Sequence, residues 1–166
     1  MPSIKVTAMR EDIVQFDIDL PSLLATAGLG ATLGQILTKG DVITLAGPLG
    51  AGKTTLARAV IEATTCETDI ASPTFGLVQT YESPKLELYH FDLYRLESPE
   101  EVWELGIEEA FDSAASLIEW PDKAPSIVPE NALRIRLSVE GETRHASLRC
   151  DHFWHERLEA VGIKNL

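Results

Sequence analysis

With 166 residues the chain is long enough for one core of ordinary size, and nothing in that length calls for a second domain. Twenty-six acidic against fourteen basic side chains leave a formal charge of −12, a field that repels phosphate backbones and acidic membrane surfaces and so argues against direct nucleic-acid binding. No stretch reaches the ~18 apolar residues of a membrane span. The opening MPSIKVTAMRED lacks the apolar centre of a signal peptide, and Cys66 and Cys150 are too few for a disulfide framework, so a cytoplasmic protein with two buried thiols is expected.

In chain order, EDIVQFDIDL alternates apolar and polar residues as a first strand does. PSLLATAGLGATLGQIL then carries leucines and alanines at helical spacing from a proline start, with Lys39 and Gly40 closing the helix. DVITLA is short and apolar in the manner of a buried strand, and TTLARAVIEAT predicts a helix with Leu56, Val60 and Ile61 facing inward. FGLVQTYESPKLELYHFDLY gives two β-rich runs around a Ser-Pro turn, an antiparallel hairpin. SPEEVWELGIEEAF reads as one helix, with Ser98 as N-cap, Pro99 in the first turn and Glu101 completing a capping box. SLIEW is another short apolar strand, ALRIRLSVEGETRHASLRC a second hairpin turning at Glu-Gly-Glu, and DHFWHERLEAVG a closing helix. Parallel βαβ units mixed with hairpins predict an α/β fold, a three-layer sandwich on a mixed parallel/antiparallel sheet.

The stretch GPLGAGKTT, residues 47–55, satisfies G-x-x-x-x-G-K-[ST] after a buried strand and before a helix, the context that makes the pattern a phosphate-binding loop. Gly47, Leu49, Gly50, Ala51 and Gly52 supply backbone that folds around a β-phosphate, so that successive N–H groups and the helix N-terminus point at it. Lys53 places its charge between the β- and γ-phosphates, Thr54 offers a hydroxyl to Mg²⁺, and Thr55 continues the loop into the helix. A guanine reader of the common kind carries NKxD; none occurs, which points to ATP. The fold class becomes a single-domain P-loop NTPase spanning 1–166, with the motifs in about 41–123 and a C-terminal hairpin and helix in 131–162.

A magnesium nucleotide site needs a carboxylate at the end of a neighbouring buried strand, and Glu119, ending SLIE, fits that place. In HFDLYR, strand alternation puts His90, Asp92 and Tyr94 on one face, where Asp92 is a second candidate for the metal and His90 either lines the site or packs the sheet. Arg95 either neutralises phosphate charge or pairs with a nearby glutamate. Thr74, in the loop of ASPTFGL, could read a γ-phosphate as switch threonines do. Trp120 follows Glu119 and is a candidate neighbour of the nucleotide. Glu97, Glu100, Glu101, Glu104, Glu108 and Glu109 form an acidic, solvated face. His145, His152 and His155 near Cys150 lack matching ligand spacing for zinc.

Taken together and in order, GPLGAGKTTLAR, SPTFGLVQTY, HFDLYRL, WELGIEE and LIEWPDK resemble the bacterial TsaE (YjeE) family over about Asp41 to Lys123. The resemblance implies a small P-loop ATPase, slow alone and stimulated by partners, that serves the threonylcarbamoyladenosine (t6A) modification of tRNA together with TsaB and TsaD. It further implies that Lys53, Asp92 and Glu119 act in hydrolysis, that Thr54, Asp92 and Glu119 hold Mg²⁺, and that Thr74 and Trp120 adjoin the ATP. Many relatives carry Asp where this chain has Pro48, which predicts a stiffer loop. The alternative is a P-loop kinase of a small metabolite, motivated by the Asp-Arg pair of DLYR; it would require an arginine-rich lid, and no such segment is present.

Overall fold

The computed structural model describes residues 4–8, 13–71, 73 and 77–163. Eight strands form one sheet: β1 (Ile4–Ala8), β2 (Val14–Leu20), β3 (Val42–Ala46), β4 (Val78–Glu82), β5 (Glu87–Asp92), β6 (Ala115–Glu119), β7 (Leu133–Glu140) and β8 (Thr143–Cys150). Four α-helices accompany them, α1 (Leu23–Ile36), α2 (Lys53–Thr65), α3 (Ile107–Ser113) and α4 (His152–Ala160). Across the sheet the order is β1-β2-β8-β7-β3-β6-β5-β4, so strands distant in sequence lie side by side. Strands β7, β3, β6 and β5 run parallel; β2, β8 and β1 extend one edge antiparallel, and β4 does the same at the other.

Every residue of β3 and of β6 is buried, as the apolar runs DVITLA and SLIE require of strands covered on both sides. Period-two alternation sends Ile43, Leu45 and Leu117 toward Leu33, Leu56, Val60 and Leu158, the inward stripes of α1, α2 and α4. Val42, Phe91 and Ile118 point the other way, against Val102, Ile107 and Ala110. The result is the expected three-layer α/β sandwich.

Helix α1 is capped by Ser22, whose hydroxyl accepts from the Ala25 N–H at 3.1 Å. It stops at Ile36, three residues before Lys39, because Asp41 takes over the next backbone donor: its carboxylate accepts from the Thr38 N–H at 2.8 Å. Arg157 of α4 donates to the same carboxylate at 3.0 Å and to the Ile36 carbonyl, which ties α4 to the end of α1 and the start of β3. Gly30 and Gly34 let α1 press directly on α2. A Cβ at Gly30 would lie 2.6 Å from the Ala59 Cβ and 2.7 Å from the Leu56 carbonyl oxygen.

Three local expectations change. Ile4–Ala8 adds a strand ahead of the first one read from the pattern, paired antiparallel to β2. The stretch SPEEVWELGIEEAF is a 3-10 helix (Pro99–Leu105) and then α3, broken at Gly106, whose φ of 78° belongs to the left-handed region. The Ser98 side chain makes no cap hydrogen bond, and Glu101 instead accepts from the Glu97 N–H at 3.4 Å. Cys150 is buried and its thiol is pushed up to about 12 by loss of solvation, but Cys66 is exposed, because it caps the end of α2 in a left-handed turn that projects into solvent.

Candidate functional site

Strands β3, β6 and β5 end together at one edge of the parallel region, with Leu45, Glu119 and Asp92 in adjacent register positions. In an open α/β sheet the crevice beyond the carboxyl ends of the strands is where ligands bind. The loop leaving β3 supplies its floor. Gly47, at φ 137°, runs so close to β7 that a Cβ there would meet the Leu137 carbonyl oxygen at 2.3 Å, and Gly50 and Gly52 also adopt left-handed conformations. These three glycines curl the backbone into the N-terminus of α2, whose first residue is Lys53. Arg144, from β8, donates to the Gly50 carbonyl at 3.2 Å and braces the loop from outside.

Lys53 is only 5% exposed. Its ammonium donates to the carbonyls of Gly47 at 2.6 Å and Pro48 at 2.8 Å and sits 4.2 Å from the centre of the Trp120 ring. Burial pushes the Lys53 amine below its ordinary range, against the charges of Glu119 and Asp92, which pull it back up. Trp120 reaches this position because it turns through a left-handed φ of 59° directly after β6, its N–H held by the Leu45 carbonyl at 3.2 Å. The Tyr94 ring lies 4.8 Å from it.

Glu119 and His90 are both 2% exposed, and His90 Nε2 lies 2.8 Å from Glu119 Oε2. A buried carboxylate without such a donor would be strongly disfavoured, so His90 holds Glu119 in place. Among the described residues His90 Nδ1 has no hydrogen-bond partner. Asp92 accepts from the Tyr94 N–H at 3.1 Å. Burial raises the Asp92 carboxyl above its usual range; that backbone hydrogen bond works the other way, and the Glu119 charge adds to the rise. His90 and Asp92 share a face of β5 as alternation requires, but the strand ends at Asp92, so Tyr94 joins them through the following turn.

The cleft has a volume of about 320 Å³, and Gly50, Gly52, Lys53, Thr54 and Thr55 line it together with Asp92, Glu119 and Trp120. Leu49 stands 70% exposed at its lip, Gly47 lies at the base of the loop, and Ala51 is turned into the core. Thr74 lies outside the described residues. Arg95 sits beside the cleft in a small depression shared with Pro73, Leu77 and Asp92. Thr26 and Leu23 of α1 and Arg144 of β8 also line the cleft, and sequence reasoning missed them. Leu23 and Thr26 belong to the first turns of a helix without a motif, and Arg144 lies 94 residues from the loop carbonyl it touches; no local pattern marks such residues.

A hydroxyl, Thr54, and two carboxylates, Asp92 and Glu119, border the same space and are hard oxygen donors. Among the described residues no group of three or more His, Cys, Asp or Glu side chains converges on a metal position. The oxygen donors Thr54, Asp92 and Glu119 fit Mg²⁺, which takes one or two carboxylates and completes its shell with phosphate oxygens and water. His145 is instead engaged by Asp19 at 2.9 Å, and His155 lies 3.3 Å from Glu159.

A family model described as "Threonylcarbamoyl adenosine biosynthesis protein TsaE" matches residues 20–146. The chain belongs to the TsaE family. Among curated relatives of that family, the "tRNA threonylcarbamoyladenosine biosynthesis protein TsaE" of Rickettsia felis is 42% identical over 120 residues, 72% of this chain and 70% of its own. The protein of the same name from Rickettsia prowazekii is 38% identical over 84% of this chain and 98% of its own, and that of Haemophilus influenzae 33% identical over 83% and 89%. The crystal structure of Bacillus subtilis YdiB shares the fold, with a TM-score of 0.74 at 23% identity, covering 93% of this chain and 97% of that one. The TsaE-family match spans β3, the phosphate loop, Asp92 and Glu119, so the site lies inside the matched region. No helix among the described residues is long and apolar enough to cross a membrane.

Proposed function

We propose that this chain is the ATP-binding and ATP-hydrolysing subunit of a tRNA t6A modification system, a single cytoplasmic ATPase domain that acts with TsaB and TsaD. The observation that carries the reading is the convergence, at the ends of adjacent parallel strands, of a buried ammonium, two carboxylates and a glycine-lined helix N-terminus. The names of its TsaE relatives supply the biological setting.

In this reading the triphosphate lies on the N–H groups of residues 49–53, Pro48 having none to offer, and Lys53 exchanges its two loop carbonyls for β- and γ-phosphate oxygens. Thr54 and Asp92, with Glu119 beside them, would hold Mg²⁺, which when bound would supply positive charge to the phosphate oxygens. Glu119, fixed by His90, faces the space where an attacking water would stand and orients it. Thr74 reads the γ-phosphate, and the base and ribose extend toward the lip formed by Leu23 and Leu49. An anionic protein need not grip tRNA to do this; occupancy of its own cleft governs association with the other subunits.

The test is ATP turnover by the purified chain with and without TsaB and TsaD. Slow release of free phosphate, accelerated by the two proteins, is the expected result. Indifference to them overturns the partner assignment, and transfer of the γ-phosphate to a metabolite overturns the hydrolase in favour of a kinase.

A further inference from the structure

On the side of the sheet away from α1, α2 and α4, strands β7 and β8 present cations in register. Leu133, Ile135 and Leu137 point into the core, so alternation leaves Arg134 and Arg136 on the opposite face, where they pair across the ladder with Arg149 and Ser147. The three arginines border a depression of about 220 Å³ whose other walls include Pro121, Pro125 and Val128. The chain has fourteen basic residues and a charge of −12, yet three of them gather around one hollow whose lining holds a single carboxylate, Asp122.

These guanidinium groups are little used by the fold. Arg134 donates to the Pro129 carbonyl at 3.1 Å, and the rest of its fork meets no acceptor among the described residues. Arg136 is 4.0 Å from Asp122 with both side chains about two-thirds exposed (65% and 68%), a pairing of little energetic weight. Arg149 is exposed, and its side chain has no hydrogen bond or ion pair among the described residues. The hollow shares no lining residue with the cleft at Lys53, but the chain links their walls directly. Trp120 lies against Lys53, the next residues Pro121 and Asp122 wall the hollow, and Ala46, in its other wall, leads directly into Gly47.

We propose that this hollow is a docking site for an acidic segment of a partner protein, one Asp or Glu carboxylate held in the arginine forks and an apolar neighbour resting on the proline wall. Arginine forks match carboxylates bidentately, and the walls are apolar enough to take a side chain. A nucleic-acid strand fits poorly, because its successive phosphates need a continuous cationic track. Here Glu130 and Asp151 lie beside Arg134 and Arg149 at one end, and Asp122 closes the other. The identity of the partner as TsaB–TsaD rests on the function proposed above; the carboxylate site itself does not.

Two measurements on the full chain test it. In the first, affinity for the TsaB–TsaD pair is compared between the natural chain and R136E/R149E; a loss of about tenfold or more is expected, steeper at low salt, with ATP affinity within about twofold as proof of folding. In the second, the ¹⁵N-labelled chain is titrated with the acetylated tripeptide Glu-Phe-Glu and, separately, with oligouridylate. Shifts at Thr44, Arg136, Ser147 and Arg149 with the peptide support the site; shifts there with the RNA alone, or with neither, overturn it. If the pair binds the natural chain and the double variant equally, the docking site falls while the partner reading stands. If the pair does not bind but the peptide shifts these residues, the partner reading falls and the carboxylate site stands.

Discussion

In the parallel half of the sheet, charge is buried: Lys53, Glu119 and His90 are each at most 5% exposed at the tips of β3, β6 and β5. Along the antiparallel ladder that β7 forms with β8, Arg136 and Arg149 stay exposed on the open face and only apolar residues are buried beneath. Burying an ion costs free energy that a fold recovers only with close partners, and a fold built for stability alone would place apolar groups there. In the function proposed above the buried groups serve a charged ligand, whereas the β7–β8 ladder carries charges that solvent tolerates at little cost and that, in the docking proposal, a partner meets at the surface.

The sharpest way to break this contrast is Lys53→Ala. If the buried ammonium serves the triphosphate, its removal lowers ATP affinity by about 2–3 kcal/mol, roughly a hundredfold, while far-ultraviolet circular dichroism stays unchanged. Unchanged affinity in a calorimetric titration would show that this charge belongs to the fold instead. Gly30→Val tests how α1, which joins the antiparallel edge to β3, seats the phosphate-loop helix. The new side chain would collide with the Leu56 carbonyl and Ala59, and a loss of about 2 kcal/mol is expected in urea denaturation. Stability equal to that of the natural chain would mean that the helix pair is not closely packed.

The smallest effect concerns pH. Asp92 has a carboxyl raised above its unfolded value, so its contribution to stability is fully present below the ordinary carboxylate range and is lost as pH rises through the raised value. Asp92→Asn should flatten that descending limb and leave the ligand-free chain more stable on its alkaline side. A limb that keeps its slope in the variant would assign the effect to another group. Added Mg²⁺ with nucleotide should offset the same limb in the natural chain and not in the variant.

The elements of the parallel half were legible because each carries a local signal: DVITLA and SLIE are too apolar for anything but doubly covered strands, and the glycine spacing of the loop permits few other conformations. Glu119 was suggested by its strand end and Asp92 by alternation along β5 with His90, although the strand stops at Asp92 instead of running on to Tyr94. What local pattern could not convey is pairing across long sequence distance. That β7 runs parallel to β3, with Arg136 opposite Ala46, follows only from the assembled sheet, and so do the arginine hollow and the brace from Arg144 to Gly50. The break at Gly106 was missed for the opposite reason. The surrounding glutamates favour helix, and one left-handed glycine outweighs them.

The contact between Lys53 and Trp120 has an optical consequence. An indole ring 4.2 Å from an ammonium emits in the field of that charge, and when phosphate oxygens draw the side chain away the field at the ring changes. Trp154 stacks instead on Arg157, far along the chain in α4, and Trp103 faces solvent. In the function proposed above, Trp120 emission would therefore change as the cleft fills, a fluorescent gauge that needs no attached dye.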